Sequence, residues 1–407
     1  MSGSSPLIPV AEAFRLFQAS CPKWGEESLP LPMARGRVLV QELRAQEDWP
    51  PFPRVMMDGV ALDSTSPAWR GAWLPVQGVQ AAGDPPLVLA ASHMAIEVMT
   101  GAFLPQGCDC VVPVEDLELT RDAVRLRPEA LARPGLHVHA RGSDARHGDL
   151  LLPRGTLLHG PALAVAAAAG ASQVLVGRKP RVVILATGKE LVPMEATPLP
   201  WQIRASNGPA LVASMEHAGF PVQGQALLDD NPDTLRQAIS QALDEADVLV
   251  LSGAVSKGRF DHVPALLKDA GCRILFHGVA QRPGKPLLAA LREGGRPTLV
   301  MGLPGNPVSA LCTLHRYLLP VLEQQLGLPA REAPVRVASD HPRHPRFTLF
   351  LPARLVVDET GCRHAQPLPT SNSGDFAPLA GTQGFVEIEP GPPPPPEGRV
   401  ASFHPWS

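Results

Sequence analysis

The sequence predicts an α/β chain that also carries all-β domains, and three observations point that way. Short Val- and Leu-rich runs at Val248 to Leu251 and Thr298 to Met301 are too brief for helices and read as buried parallel strands. Between about 181 and 325, helix-like stretches alternate with such runs, the pattern of a three-layer α/β domain. On either side, from 49 to 146 and beyond 329, the chain breaks into short alternating segments punctuated by Gly and Pro.

In chain order, residues 7 to 20 are expected as an amphipathic helix with Val10, Phe14, Leu16 and Phe17 on its apolar side. Small strands follow, among them Leu74 to Val76, Met94 to Met99 and Ala123 to Leu126. Residues 147 to 178 hold an Ala-rich helix from Ala162 to Ala169 and a strand at Gln173 to Val176. Arg181 to Ala186 is the next expected strand, with Thr187-Gly188-Lys189-Glu190 at its carboxyl end. Ser206-Asn207-Gly208-Pro209 opens a helix that stops before Gly219. Asp233 to Ala246 is a further helix and Asp247 to Ser252 a further strand, all strands of this block being expected parallel. Asn306 reads as an N-cap with Pro307 in the first turn of a helix running to about Gln325. Strands at Arg346 to Leu351, Arg354 to Val357, Gly384 to Ile388 and Arg399 to Phe403 form a closing β-domain.

Composition narrows the function classes. At 407 residues the chain exceeds one ordinary core. A formal charge of −3 provides no basic face, which argues against a nucleic-acid partner. Apolar residues at 44% against 18% charged support large folded cores. Prolines scatter through turns, and only Pro392 to Pro396 forms a run. Cysteines at 21, 108, 110, 272, 312 and 362 show no repeated metal or redox spacing and read as reduced thiols. No signal peptide and no membrane-length apolar run are found, so a cytoplasmic protein without a membrane partner is expected.

Three motifs carry the chemistry: Ser252-Gly253-Ala254-Val255-Ser256-Lys257-Gly258-Arg259-Phe260-Asp261, Arg282-Pro283-Gly284-Lys285-Pro286, and Gly302-Leu303-Pro304-Gly305-Asn306-Pro307. The first and third follow strand-like runs, and in open α/β sheets ligands settle outside the carboxyl ends of strands. Glycines, hydroxyls, one carboxylate and two cations there describe a pocket for an anionic, phosphate-bearing ligand with a metal. Pro304 to Pro307 is either a rigid turn or a helix start that offers N–H groups to an anion, and neighbouring Lys285 favours the anion. Asp230, Asp261, Glu190 and Asp144 are each either solvated turn residues or members of a carboxylate set that holds Mg²⁺ against phosphate oxygens. Met56-Met57-Asp58-Gly59 and Met99-Thr100-Gly101-Ala102 are, on their own, two glycine turns.

In this order, over nearly the whole chain, the motifs resemble the molybdopterin molybdenumtransferase family, known as MoeA in bacteria and as the E domain of gephyrin. The match takes in Met57-Asp58-Gly59, Thr100-Gly101-Ala102, Thr187-Gly188, Glu190-Leu191, Ser206-Asn207-Gly208, Asp230, Ser256, Asp261, Pro283-Gly284-Lys285-Pro286 and Leu303-Pro304-Gly305-Asn306-Pro307. The resemblance implies an elongated homodimer of four-domain chains. Residues 1–48 with 147–178 are the linker domain, 49–146 the β-insert, 179–328 the α/β domain resembling molybdopterin adenylyltransferases, and 329–407 the carboxy-terminal β-domain. It further implies insertion of molybdate into adenylylated molybdopterin, with Mg²⁺ and release of AMP. Implied protein partners are a molybdopterin adenylyltransferase and recipient molybdoenzymes.

On this resemblance the catalytic residues are Asp58, Thr100, Asp144, Glu190, Asp230, Asp261 and Lys285, with Glu190, Asp230 and Asp261 holding the metal. Ligand contacts fall to Thr187, Gly188, Ser206, Asn207, Ser252, Gly253, Ser256, Arg282, Pro304, Gly305, Asn306, Pro307, Ser309 and Ser373. Asp58 and Thr100 are expected to reach the second chain's pocket. The sequence also departs from the family pattern at Arg54, Val55, Met56, Val60, Glu97, Ser143, Lys189, Ala254 and Arg282, and the arginine usual early in the last domain has Arg346 as its nearest match. An active transferase is the reading the pocket residues favour. A non-catalytic scaffold that binds molybdopterin or a partner protein is the alternative raised by the altered β-insert, and tungstate is an alternative oxyanion.

Overall fold

The computed structural model describes residues 7–253, 255, 262–337, 343–368, 376–392 and 400–407. The chain separates into two compact units: Met1–Glu27, Gly36–Val38 and Gly177–Ser407 form one, and Ser28–Arg35 with Leu39–Val176 form the other.

The first unit is built on a six-stranded sheet in the order Val222–Leu228, Val182–Thr187, Val248–Ser252, Thr298–Leu303, Leu288–Arg292, Cys272–His277. The first four strands run parallel, and Leu288–Arg292 runs against them, pairing antiparallel with Thr298–Leu303 on one side and Cys272–His277 on the other. The expectation of an all-parallel sheet is therefore corrected at one edge. Connection length is the cause: parallel neighbours need a crossover of about a dozen residues or more. Only residues 278–287 and 293–297 join the three edge strands.

Helices cover both faces of this sheet. Leu235, Ile239 and Leu243 of Pro232–Glu245 pack with Val263, Leu266 and Leu267 against Leu249, Leu251 and Val300. On the other face Val10, Ala13 and Phe17 of Val10–Ala19 join Leu211, Met215, Val250 and Met301, with Phe14 and Leu16 half-buried beside them. The helix from Pro307 passes through a π-helical turn at Leu314–Leu318 and continues as Leu319–Gln325. Pro320 has no N–H to donate, and its ring crowds the carbonyl one turn earlier. The wider turn just before it relieves that crowding.

In the same unit, Thr348–Val357, Arg363–Pro367, Ala333–Val337, Val400–Pro405 and Gly384–Ile388 form a sheet whose last strand pairs with its first, closing a small barrel. Gln281–Arg282 adds to its edge, parallel to Thr348–Leu349. The two strands expected at 346–351 and 354–357 are one strand. Pro352 forfeits only its own donor, and its carbonyl still accepts from the Leu368 N–H at 2.8 Å.

The second unit holds a sheet ordered Cys110–Pro113, Gly59–Leu62, Ala95–Val98, Leu74–Gln80, Ala123–Leu126, Leu117–Leu119. Val60, Leu62, Val112 and Leu126 fill one side, and Val55, Ala61, Ile96 and Val111 the other. The Gly160–Ala168 helix packs Ala162 and Ala166 on Leu31, Leu39, Leu158 and Val174. Among the described residues no helix is long and apolar enough to cross a membrane.

Candidate functional site

Pro304, Gly305 and Asn306 lead from the Thr298–Leu303 strand into the helix that starts at Pro307. Facing them is the turn Arg282-Pro283-Gly284-Lys285-Pro286, and Leu349 to Pro352 of the barrel close a third side. Together with Gln281, Val308 and Ser309 these residues enclose a cavity of about 710 Å³. Arg282 and Lys285 are exposed at its wall, and among the described residues neither is ion-paired. The Arg282 guanidinium lies 4.8 Å from the centre of the Phe347 ring, and that of Arg346 lies 5.9 Å from the same ring. Desolvation, and then the charges of Arg282 and Arg346, hold the His344 imidazole below its usual range. This edge of the cavity is electropositive.

The helix start supplies fewer donors than its motif implies. Pro307 has no N–H, and the Asn306 side chain already accepts the Val308 N–H at 3.2 Å. The two cations therefore carry more of any anion binding than the helix terminus does. Ser309, 3% exposed, sits one position further along at the cavity wall.

A second cluster sits at the carboxyl ends of Val182–Thr187 and Val248–Ser252. The Thr187 hydroxyl donates to Asp230 Oδ1 at 2.6 Å, and the Lys189 N–H donates to Asp230 Oδ2 at 3.2 Å. Both Glu190 carboxylate oxygens lie 3.0 Å from where a Cβ on Gly188 would sit, so a side chain at position 188 would push Glu190 away. Asn207 Nδ2 donates to Ser252 Oγ and to the Gly305 carbonyl, both at 2.8 Å. Its Oδ1 is buried with no hydrogen-bond partner among the described residues. Ser206 precedes it at the head of the Asn207–His217 helix. Gly305 thus joins the clusters, since it holds Asn207 and also lines the cavity.

Gly253 has φ +93°, and a Cβ there would lie 2.2 Å from the Thr187 carbonyl oxygen. Gly253→Ala is expected to cost about 1–3 kcal/mol, from the strained backbone and the forced shift of Thr187. Urea unfolding measures it, and an unchanged midpoint would refute the close approach.

The structure thus brings together Thr187, Gly188, Glu190, Ser206, Asn207, Asp230, Ser252 and Gly253, and through Gly305 it joins them to Arg282, Lys285, Pro304, Asn306, Pro307 and Ser309. Ser256, Asp261 and Ser373 lie outside the described residues. Asp58, Thr100 and Asp144 belong to the other unit. There Asp58 Oδ1 accepts from the Thr100 N–H at 2.6 Å and the Thr100 hydroxyl at 2.7 Å, bonds that hold its carboxyl below the usual range. Asp144 pairs with His139 at 2.7 Å, and the other ring nitrogen of His139 faces Arg54 at 3.1 Å. Val55 and Val60, departures from the family pattern, are 1% and 2% exposed and serve as core residues, whereas Glu97 is exposed.

Sequence reasoning missed Gln281, Phe347 and Leu349 to Pro352. Their placement comes from the long-range pairing of Gln281–Arg282 with Thr348–Leu349, which leaves no local signature.

Comparison with known proteins covers the same ground. Residues 8–170 match the MoeA N-terminal region (domain I and II), 183–324 a probable molybdopterin binding domain, and 334–406 the MoeA C-terminal region (domain IV). The chain is 36% identical over 384 residues to a molybdopterin molybdenumtransferase of Synechocystis sp., covering 94% of this chain and 95% of that one. It is 28% identical over 392 residues to one from Staphylococcus epidermidis, covering 94% and 92%. The crystal structure of a molybdopterin biosynthesis MoeA protein from Pyrococcus horikoshii superposes with a TM-score of 0.79 at 28% identity, covering 99% of this chain and 100% of that one. With full-length similarity and a pocket assembled from the motifs themselves, the chain belongs to the molybdopterin molybdenumtransferase (MoeA) family, transferases of molybdenum cofactor biosynthesis.

Proposed function

We propose that the chain inserts molybdate into adenylylated molybdopterin with the help of Mg²⁺, releasing AMP. One observation carries the reading: two cations without ion-pair partners among the described residues, Arg282 and Lys285, share a cavity that Gly305 joins to the Asn207–Ser252–Asp230 cluster. Molybdate is a tetrahedral dianion, and charge-assisted N–H···O⁻ bonds are the strong ones. Arg282 presents a planar fork and Lys285 a compact point charge, so together they grip and orient a small oxyanion. Among the described residues nothing satisfies the buried Asn207 Oδ1, and an unsatisfied acceptor costs about 1–3 kcal/mol. A donor N–H on the bound substrate would relieve it.

The described residues hold no group of three or more His, Cys, Asp or Glu able to bind a metal. Mg²⁺ asks for less, commonly one or two carboxylates completed by substrate phosphates and water. Asp230, fixed by Thr187 and Lys189, and Glu190 against Gly188 match that demand. Asp261 is assigned as the third carboxylate. Bound there, the ion would neutralise charge on the phosphate oxygens as AMP departs. Thr187 and the Lys189 N–H keep Asp230 anchored, and Ser252 keeps the Asn207 amide turned toward the ligand. Asp58, Thr100 and Asp144 are assigned to catalysis from the β-insert of a cytoplasmic homodimer, whose dimeric mass light scattering would test.

The deciding assay incubates purified protein with adenylylated molybdopterin, Mg²⁺ and molybdate and measures AMP. Molybdate-dependent release supports the proposal, and release of equal size without molybdate refutes it. Asp230→Asn and Asp261→Asn should each abolish insertion while the chain still folds, because a metal charge is lost and little volume. An unaltered rate in both variants would contradict the metal assignment.

A further inference from the structure

Behind the cation-bearing turn lies a buried hydrogen-bond chain that the reaction outlined above does not use. Tyr317 is the chain's single tyrosine, and it is 0% exposed. Its hydroxyl donates to Gln281 Oε1 at 2.5 Å, and Gln281 Nε2 donates to the Gly284 carbonyl at 3.0 Å. The direction is set by chemistry: a carbonyl only accepts, so the amide nitrogen must face Gly284 and the amide oxygen must take the hydroxyl proton. Gln281 is itself 0% exposed.

The same helix touches the turn at a second point. Gly284 has φ +89°, and a Cβ there would lie 2.7 Å from Thr313 Cγ2 and 2.8 Å from Gln281 Nε2. Thr313 in turn donates its hydroxyl to the Ser309 carbonyl at 2.7 Å. Ser309, Thr313 and Tyr317 recur every four residues, so one side of the helix lines the cavity, abuts Gly284 and holds Gln281 in succession. Tyr317 stands in the π-helical turn Leu314–Leu318, an irregularity frequent at functional sites.

We infer that Tyr317 and Gln281 are positioning residues for oxyanion binding: through the Gly284 carbonyl they set the turn that carries Arg282 and Lys285 against the Ser309 side of the cavity. A buried tyrosine ordinarily finds some partner. Here the partner is a bridge, whose far end reaches the Gly284 carbonyl, in the stretch of turn between Arg282 and Lys285. Removing the hydroxyl frees the amide to rotate and the turn to drift, which loosens grip on a small dianion more than on a large substrate held at many points. The inference rests on the oxyanion reading of this cavity.

The probe is molybdate itself, with the full-length chain and equilibrium dialysis, so no turnover is required. Tyr317→Phe should weaken molybdate binding by about tenfold, the worth of one buried hydrogen bond. In AMP-release kinetics the KM for molybdate should rise equally, with kcat and the KM for adenylylated molybdopterin unchanged. A purely structural tyrosine would instead alter both KM values or neither. Should the variant fail to fold, wild-type protein labelled with [ζ-¹³C]tyrosine supplies one resonance, expected to shift with molybdate at the dialysis Kd. Wild-type binding with an unchanged Tyr317→Phe Kd, or a resonance unmoved at saturation, overturns the positioning role. Absence of molybdate binding to wild type overturns the oxyanion reading, and this inference with it.

Discussion

Lys285→Met is expected to lower molybdate-dependent AMP release by on the order of 10²–10³-fold, the usual effect of deleting one preorganised donor to a reacting oxyanion. The side chain stands in a turn with prolines at positions 283 and 286, so the backbone is ordered before ligand arrives and little entropy is spent on binding. Among the described residues no carboxylate neutralises it, so its charge is available to the ligand. Methionine keeps most of the volume, which separates charge from packing. Lys285→Arg should recover only part of the rate, because a fork does not replace a point charge in a small cavity. The measurement is AMP release against molybdate concentration, and a Met variant within about threefold of wild type would remove Lys285 from the mechanism.

The largest stability effect is expected away from the pocket, at Asp247. This carboxylate is 2% exposed and accepts from Arg178 at 2.9 Å, from Arg181 Nε at 3.0 Å and Nη2 at 2.9 Å, and from the Arg181 N–H at 2.8 Å. Burial acts to raise its pKa, but the hydrogen bonds from Arg181 and Arg178 outweigh it and hold the carboxyl well below the ordinary 3.8. Asp247→Asn leaves both arginines without their partner. The expected loss is roughly 3 kcal/mol, the low end for breaking a buried pair, because the arginine side chains keep 31% and 28% of their exposure to water. Since the folded pKa is depressed, the contribution is fully present above the unfolded value. It is lost as pH falls through the folded one. The gap between wild type and variant in urea should therefore be level from pH 5 to 8 and narrow only below about pH 4. A gap under about 1 kcal/mol, or one that closes near neutrality, would contradict the assignment.

Much of the α/β region was legible because its signals are local. The Val182–Thr187, Val248–Ser252 and Thr298–Leu303 strands are apolar runs buried on both sides, and Asn231 and Asn306 cap helices whose first turns contain proline. Leu288–Arg292 shows the opposite case. Its Leu and Ala residues favour helix by intrinsic propensity, yet it is a strand held between Cys272–His277 and Thr298–Leu303. Burial against two neighbours overrode a propensity of a few tenths of a kcal/mol per residue. The motif at Pro304 to Pro307 lies at the wall of a cavity but offers fewer donors than its residues suggest, since the Asn306 cap consumes one N–H that the motif leaves open.

What the sequence determined alone was the buried strands at 182–187, 248–252 and 298–303, the helices capped beside them, and which side chains the turns carry, Lys285, Asp230 and Asn207 among them. Those features depend on residues a few positions apart. Only the tertiary structure decided that the Arg282 turn, the Ser309 helix and the Leu349 to Pro352 edge enclose one space, and that Tyr317 stands behind it. Such convergence depends on pairings between distant segments, whose loop-closure cost is repaid only when the whole core is buried at once.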